Sequence, residues 1–506
     1  MKKLFSLLAV ISYLPSLAQQ GPVHVESLVI NPYQTFSKKD TSERKQIAGW
    51  CLYMSTNEDY KHITEQASAK YFPGPVKEGA KKVKRTVNIR HQQLPDEQLP
   101  IVSRMSFSDP LRSTMYSTGL YAVAGQPIEI QIPDSLVAKG LHVQIGCHTD
   151  PLQAGWSAFE DWRRMPYIIT DIALNKTKKK VTSPFGGLVY INCEPATSSW
   201  SSNITIDGAI ASPLYVKGQT SNEEWQRQLQ QNKAPWGELM ADKIILSLPD
   251  SVLQTIKHPD SVAALWDLIV SGEMELAQLP DKPYRPQRMV IDEHLFAGYA
   301  HSGYPFMVHH SPTMHMLSTD IVVDPGKLLV PSEGGANWGF FHEIGHNMQN
   351  YDWVFDGTTE VSCNFFSLYM FDRLTGGRDG AHSDIRNTHT TALMKEYFAN
   401  GANYETWKNE PFLGLILFRQ LQEAFGWESF KTFFRKCQEA AKADPKFERP
   451  LSDAAKRDRW VGDFSAITQR NLAPFFEKWG IPISDSVKAV VQQYPVWMPY
   501  NFPPQP

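Results

Sequence analysis

Residues 338–349 read WGFFHEIGHNMQ and contain the pattern H-E-x-x-H at residues 342–346. On an α-helix, residues four apart are separated by about 40° around the axis and roughly 6 Å along it, so the imidazoles of His342 and His346 can face one metal ion. Glu343 is rotated by about 100° from His342, which suits it to take a proton from a water beside the ion. The motif predicts a zinc centre with one Zn²⁺ per chain and Glu343 as general base.

A catalytic zinc site usually has a third protein ligand and keeps one position open for water. Glu360 lies fourteen residues after His346, which on one straight helix would place it about 21 Å away. The segment 356–359, DGTT, offers a glycine turn and threonines that can cap a new helix, so we expect the chain to fold back and Glu360 to be the third ligand. Asp352 is the alternative, but Gln349 replaces the glycine that the shorter metal-binding turn needs.

Other polar side chains near the motif can serve the same pocket, and their spacing does not select among them. Asn364 follows Glu360 by one helical turn and either lines the pocket or forms a hydrogen bond along its helix. The candidates for stabilising an oxyanion are Tyr304, His309, His310, His315 and Tyr351.

The start of the chain predicts export. Residues 1–18 combine two lysines, an apolar run from Leu4 to Leu14 and small residues at Ser16 and Ala18, which is typical of a signal peptide. The apolar run is shorter than the roughly 20 residues that span a bilayer. We therefore expect a periplasmic, cell-surface associated or secreted protein with no membrane span after signal removal.

The remaining chain is predicted to be multidomain. Residues 19–105 are interpreted as a small N-terminal module, in which the basic run 77–90 is a solvated linker face. Period-two alternation of apolar residues across 106–218 predicts a β-sandwich domain, and 219–506 has the helix-rich pattern of an α+β zincin domain. Tryptophans 156, 162 and 200 belong either to the core or to a sugar-contacting surface.

Charge and cysteine usage exclude some classes of function. Fifty basic and fifty-three acidic side chains give a formal charge of −3, which does not favour nucleic acid as a partner. The five cysteines include no C-x-x-C pair, which argues against a cysteine zinc ribbon. Cys147 and Cys193 either form a disulfide after export or remain buried thiols.

Five stretches of the sequence resemble a known family. They are WGFFHEIGHNMQ (338–349), GTTEVSCNFFSLY (357–369), STGLYAVAGQPIEIQIP (117–133), SPFGGLVYINC (183–193) and LAPFFEKWGIPIS (472–484). Together they resemble the enhancin-like, mucin-directed zinc metallopeptidases. The resemblance implies His342, His346 and Glu360 as zinc ligands, Glu343 as base, a gluzincin-like domain behind a β-sandwich, and O-glycosylated mucin-like proteins as substrates.

The sequence thus predicts an exported zinc-dependent endopeptidase that hydrolyses glycoproteins through a zinc-bound water activated by Glu343. The alternative is a carbohydrate-binding or adhesive protein whose peptidase-like domain is inactive.

Overall fold

The computed structural model describes residues 25–37, 41–105, 107–152, 161–310, 319–330, 336–376, 381–447 and 449–504. The predicted signal peptide, Trp156 and His315 lie outside these residues. Within them, every helix is too short or too polar to cross a membrane.

The strands divide into two sheets. The first contains β1 (Lys82–His91), β2 (Thr114–Ala122), β3 (Ile128–Gln131), β4 (His142–Ile145), β5 (Thr170–Ala173), β6 (Lys178–Val181), β7 (Gly187–Cys193) and β8 (Trp200–Ala211). The second contains β9 (Leu214–Val216), β10 (Trp236–Met240), β11 (Ile244–Pro249), β12 (Gln287–Asp292), β13 (Ala300–His301) and β14 (Phe306–His309).

Helices dominate the second half of the chain. The first half contributes α1 (Thr41–Ser55), α2 (Leu99–Val102), α3 (Asp134–Val137) and α4 (Asn222–Gln231). The rest are α5 (Asp250–Leu253), α6 (Pro259–Leu276), α7 (Thr319–Val323), α8 (Pro325–Leu328), α9 (Ala336–Met348), α10 (Thr359–Thr375), α11 (Asn387–Ala399), α12 (Tyr404–Asn409), α13 (Pro411–Ala443), α14 (Asp453–Thr468), α15 (Ala473–Lys478) and α16 (Asp485–Val491). Short 3₁₀ turns occur at Val25–Ser27, Ala67–Lys70 and Ser383–Ile385.

Strand β8 joins the two halves of the first sheet. Along its length it pairs antiparallel with β1, while its other edge pairs with β3 and then with β2. This gives one half of order β1-β8-β3-β6 and another of order β2-β7-β4-β5. The alternating side chains of these strands enclose a separate apolar core that includes Ile130, Val143, Val189 and Ile206, as expected for strands with one buried face.

The interpretation of the basic run as a linker is wrong. Residues 82–91 form β1, and its register with β8 runs from Lys82 opposite Ile210 to His91 opposite Trp200. Side chains on alternate positions are exposed, so the lysines lie on the solvent face of a paired strand. The alternation of exposed and less exposed positions in β1 was missed in the sequence, because lysine and arginine lie between the half-buried Val83 and Val87.

The buried side chains of the first sheet settle two open alternatives. All five cysteines are free and buried, so Cys147 and Cys193 do not form a disulfide. Trp162 is buried at 2% exposure and cannot stack on a sugar. Trp200 is half-buried and stacks on His91, with ring centroids 5.9 Å apart.

The second sheet positions the candidate site. Its order is β13-β14-β12-β11-β10-β9, with β12 parallel to both neighbours and β13 antiparallel at the edge. Helix α9 lies against the edge strand β13, and helices α6 and α10 pack on α9. A long apolar cluster continues from this sheet through α10, α13 and α14. Among the described strands, β13 is the outermost on this side of the sheet, and α9 lies beside it.

Two buried arginines connect β12 to the first half of the chain. Arg288 forms an ion pair with Glu238 and donates to the carbonyl oxygen of Met115 at 2.9 Å. Arg164 makes a two-pronged contact with Asp292, with both nitrogen–oxygen distances 2.7 Å. Both guanidinium groups are fully buried, so the N-terminal domain and the helix-rich domain share one polar joint as well as an apolar interface.

Candidate metal centre

Close packing of two helices builds the site. Helix α9 ends at Met348, and the chain turns at Gly357, which has a φ of 85°, before α10 begins at Thr359. A Cβ at Gly345 would lie 2.8 Å from the carbonyl oxygen of Cys363 on α10, closer than side-chain atoms approach. Glycine at position 345 thus lets α10 come near enough for its first turn to reach α9.

The predicted ligands converge. The Nε2 atoms of His342 and His346 lie 3.1 Å apart, and Oε2 of Glu360 lies 3.1 Å from the first and 3.5 Å from the second. Ligands on a tetrahedral zinc ion with metal–ligand bonds of about 2.0–2.1 Å are separated by roughly 3.3 Å. The three atoms therefore have the spacing of three ligands on one ion.

Hydrogen bonds on the far side of each imidazole fix its tautomer. Nδ1 of His342 lies 2.7 Å from Oδ1 of Asn364, and Nδ1 of His346 lies 2.9 Å from Oε1 of Gln349. Both partners are amide oxygens, so each Nδ1–H donates and each Nε2 presents its lone pair to the shared point. Asn364 thus touches a predicted ligand. Gln349, which excluded the shorter motif, orients the other one.

The charges of the cluster attract a cation. Burial opposes protonation of both histidines, but the Cys363 thiol and Glu360 outweigh it and raise the pKa of His342 and His346 well above the usual value. Burial also opposes ionisation of Glu360, yet hydrogen bonds from the two imidazoles hold the pKa of that carboxyl far below its usual range. A divalent cation fits this donor set and would replace the protons that the cluster otherwise gathers.

Two residues of the site were not predicted from the sequence. The Cys363 sulfur belongs to the same cluster, in which one ligating atom from each of the four residues lies within 4.8 Å of the others. Glu273 on α6 is fully buried, and neither of its carboxyl oxygens has a hydrogen-bond partner. Burial raises the pKa of Glu273 well above its usual value. Cysteine spacing gave no signal for the first, and Glu273 lies about 70 residues before the motif.

A charged histidine lies near the base. His301 on the edge strand β13 has Nδ1 2.8 Å from the carbonyl oxygen of Ser302 and Nε2 2.8 Å from Oδ2 of Asp150. Both partners only accept, so both ring nitrogens donate and the ring is an imidazolium. Burial opposes this state, but Asp150 and the charge of Glu343 raise the pKa of His301. The His301 ring and the Glu343 carboxylate are therefore close enough for their charges to interact.

The described residues that were candidates for stabilising an oxyanion have different surroundings. Tyr304 is buried, and its hydroxyl accepts the backbone N–H of Met115 at 3.3 Å. Burial lowers the pKa of His309 to about 4 and also lowers the pKa of the half-buried His310. Tyr351 stacks on Phe447 with ring centroids 6.4 Å apart.

Two details of the predicted turn are resolved. Asp352 pairs with the buried guanidinium of Arg104 at 3.0 Å, so it serves the fold and does not face the histidines. Thr358 occupies the N-cap position of α10, but its side chain makes no capping bond there and donates instead to the carbonyl oxygen of Phe355 at 3.0 Å.

Family models match both halves of the chain. Residues 208–480, just over half of the sequence, match the model described as peptidase M60, enhancin and enhancin-like, and residues 78–207 match the N-terminal domain of M60-like peptidases. The second match begins before β1, in agreement with the pairing of β1 in the first sheet.

Relatives and solved structures agree with this assignment. TRPM8 channel-associated factor 2 of Mus musculus is 35% identical over 407 residues, which cover 80% of this chain and 42% of that protein. The chain thus spans less than half the length of this curated relative. A functionally unknown conserved protein from Bacillus anthracis has a TM-score of 0.61 at 20% identity and covers 82% of this chain and 80% of its own.

A third similarity concerns a protein solved in complex with an O-glycopeptide. The structure of IMPa from Pseudomonas aeruginosa in complex with an O-glycopeptide has a TM-score of 0.58 at 15% identity, over 98% of this chain and 63% of that one. At such identities the two structures establish a shared fold, while the family models carry the classification. The chain belongs to the M60, enhancin and enhancin-like peptidase family, with an M60-like N-terminal domain followed by the peptidase domain.

Proposed function

We propose that this protein is an exported zinc-dependent endopeptidase that cleaves O-glycosylated, mucin-like proteins. The observation that carries the proposal is the convergence of His342, His346 and Glu360 within 3.1–3.5 Å of one another. The two histidines lie on α9, the helix that also bears Glu343, and Glu360 lies on α10. In this proposal the first sheet is a two-layered β-sandwich, and residues 1–18 direct export.

Each side chain of the site has a distinct role in the proposed hydrolysis. Zinc, when bound, supplies Lewis-acid chemistry that acidifies water and polarises the peptide carbonyl. His342, His346 and Glu360 hold the ion, and Glu343 takes the proton from the attacking water and returns it to the leaving amine.

The edge strand offers a way to bind the substrate. Of the described strands, β13 is the last in its sheet, and it packs on α9. Its outer edge can therefore pair with an extended peptide beside the metal ligands. An extended backbone suits a heavily O-glycosylated segment. The glycan preference is supported by the similarity to a protein solved with an O-glycopeptide.

Mapping of cleavage sites on one purified mucin, before and after enzymatic removal of its O-glycans, tests the substrate class. We expect cleavage of the glycosylated form only, and loss of cleavage in Glu343→Gln with zinc content unchanged. Equal cleavage of both forms would contradict the glycan requirement. A Glu343→Gln variant as active as the parent would contradict the assigned base.

A second candidate function is binding without hydrolysis, as a carbohydrate-binding or adhesive protein. The naming of a 35% identical relative as a channel-associated factor favours it. This candidate predicts that the zinc-loaded protein is retained on immobilised mucin but releases no peptide, and that Glu343→Gln changes neither result.

A further inference from the structure

We propose that Cys363 is a fourth metal ligand, whose thiolate closes the metal centre until water or substrate displaces it. The proposal rests on the zinc centre proposed above and extends it to a residue with no role in that mechanism.

The position of Cys363 on α10 is the first support. It follows Glu360 by three residues, so both side chains lie on the face of α10 that meets α9. The thiol is fully buried at 0% exposure, between the two helices that carry the other ligands. Of the described residues, His342, His346, Glu360 and Cys363 form the one cluster of three or more potential ligands whose donor atoms lie close enough to share an ion.

The distances are the second support. The sulfur lies 3.4 Å from Nε2 of His342, and a thiolate and an imidazole nitrogen on one tetrahedral zinc ion are separated by roughly 3.6 Å, given bonds of about 2.3 and 2.0–2.1 Å. It also lies 3.4 Å from Nδ1 of the same ring, so in this structure it rests beside the imidazole. A cysteine has one side-chain torsion, and rotation about it changes the position of the sulfur relative to the ring.

A hydrogen bond to the imidazole does not account for this placement. Nδ1 of His342 already donates to Asn364 at 2.7 Å, and Nε2 faces Glu360 at 3.1 Å. Both ring nitrogens thus make shorter contacts to Asn364 and Glu360 than to the sulfur at 3.4 Å, and a bound cation would give the thiol a closer partner. Thiolate sulfur is also a soft ligand that favours zinc over magnesium or calcium.

The step balances without any further reagent. When the sulfur coordinates, the thiol proton passes to solvent, a sulfur–metal bond forms and a water leaves the metal. When water or substrate displaces the sulfur, the departing thiolate takes a proton from solvent and becomes a thiol again. No electrons are transferred. A centre with four protein ligands is closed, and one with three keeps a position for water. Binding of the Cys363 thiolate therefore closes the centre, and its release opens a position for water.

Cobalt substitution gives a readout that does not depend on activity. Co²⁺ is loaded into the full-length protein and into Cys363→Ala and Cys363→Ser, with Cys437→Ala as a control that removes another buried thiol. We expect a near-ultraviolet thiolate-to-cobalt charge-transfer band in the parent and in Cys437→Ala, and loss of that band in both Cys363 variants. Zinc binding should weaken in the Cys363 variants by at least the roughly 10–100-fold that loss of an outer partner causes.

The outcomes separate the two proposals. Visible cobalt bands without the near-ultraviolet band in the parent would overturn the thiolate ligand and leave the three-ligand centre intact. No cobalt bands in any variant would contradict the metal centre itself, and with it the proposed function. Circular dichroism of each variant checks that the helices have folded.

Discussion

At the scale of single residues, the amides behind the imidazoles decide how well the centre binds metal. Asn364 accepts from Nδ1 of His342 and also from the indole N–H of Trp338, each at 2.7 Å. Asn364→Ala should therefore weaken zinc binding by about 10–100-fold, because the ring loses its fixed tautomer and orientation. Competition with a chromophoric chelator measures the change. Asn364→Asp keeps the acceptor oxygen and should stay close to the parent; equal weakening in both variants would contradict the orienting role.

Glu273 should make stability depend on pH. Its folded pKa is raised by burial, so its neutral form is favoured in the folded state and its contribution to stability is lost as pH rises above the unfolded value of about 4.3. Glu273→Gln stays neutral, and its stability advantage over the parent should grow between pH 5 and pH 7, measured by urea unfolding. Glu439→Gln, at an exposed position, serves as control. A stability difference between Glu273→Gln and the parent that does not grow with pH would contradict a buried, neutral Glu273.

Much of the site follows from the sequence at this scale. The spacing of His342 and His346 with Glu343 between them defines a helical face, and DGTT with Glu360 predicts the return of the chain. Cys363 and Glu273 could not be found in this way, since their relation to the histidines depends on how α6 and α10 pack. Of the two threonines that could cap α10, Thr358 occupies the N-cap position but makes no capping hydrogen bond with its side chain.

At the scale of elements, the contact between α9 and α10 is the feature that assembles the site. Gly345→Ala would force a methyl group to 2.8 Å from the carbonyl oxygen of Cys363 and 2.9 Å from Cβ of Phe366. We expect the helices to separate, with a loss of about 1–3 kcal/mol in unfolding free energy and much weaker zinc binding.

Gly339 provides the matched control for this change. It lies in the same helix, and a Cβ there would meet nothing within 4 Å. Gly339→Ala should stabilise the protein by roughly 0.5–1 kcal/mol through helix propensity. Thermal unfolding and zinc titration compare the two variants, and similar behaviour of both would show that the close approach is unimportant.

Element types were easier to predict than their extents. Alternating apolar residues identified β3, where one face is buried and the other half-buried. The apolar run at 188–191 identified β7, in which every residue is buried. The same alternation in β1 was hidden, because its outward positions carry lysine and arginine and most of its inward positions are only half-buried. Strand β1 is held in place by its pairing with β8, a contact that the local sequence pattern does not indicate.

At the scale of the whole molecule, the Arg288–Glu238 pair should couple the two domains in unfolding. Glu238 also accepts from Tyr190 at 3.0 Å and from Ser247 at 2.9 Å, so it gathers donors from both sheets. Glu238→Leu leaves a buried guanidinium without its carboxylate and should cost about 3–5 kcal/mol. The double variant with Arg288→Met should recover much of that loss.

Urea unfolding followed by intrinsic fluorescence and by far-ultraviolet circular dichroism measures these variants. We expect one coincident transition in the parent. An additive double variant, or a parent in which the two signals unfold separately, would argue that the joint contributes little. The sequence did not reveal this coupling, since Arg288 and Met115 are more than 170 residues apart.

The contacts of Arg288 and Asp292, both on β12, also bear on how the chain can be divided. Arg288 uses the backbone oxygen of Met115, and Asp292 needs the guanidinium of Arg164. A recombinant fragment that starts after residue 207 would keep the Arg288–Glu238 pair, but it would lose the Met115 oxygen and leave the buried Asp292 carboxylate without the Arg164 guanidinium. The M60-like N-terminal domain therefore completes the buried polar contacts of the peptidase domain. We expect an exchange of catalytic domains between homologues to succeed only when both domains are exchanged as a pair.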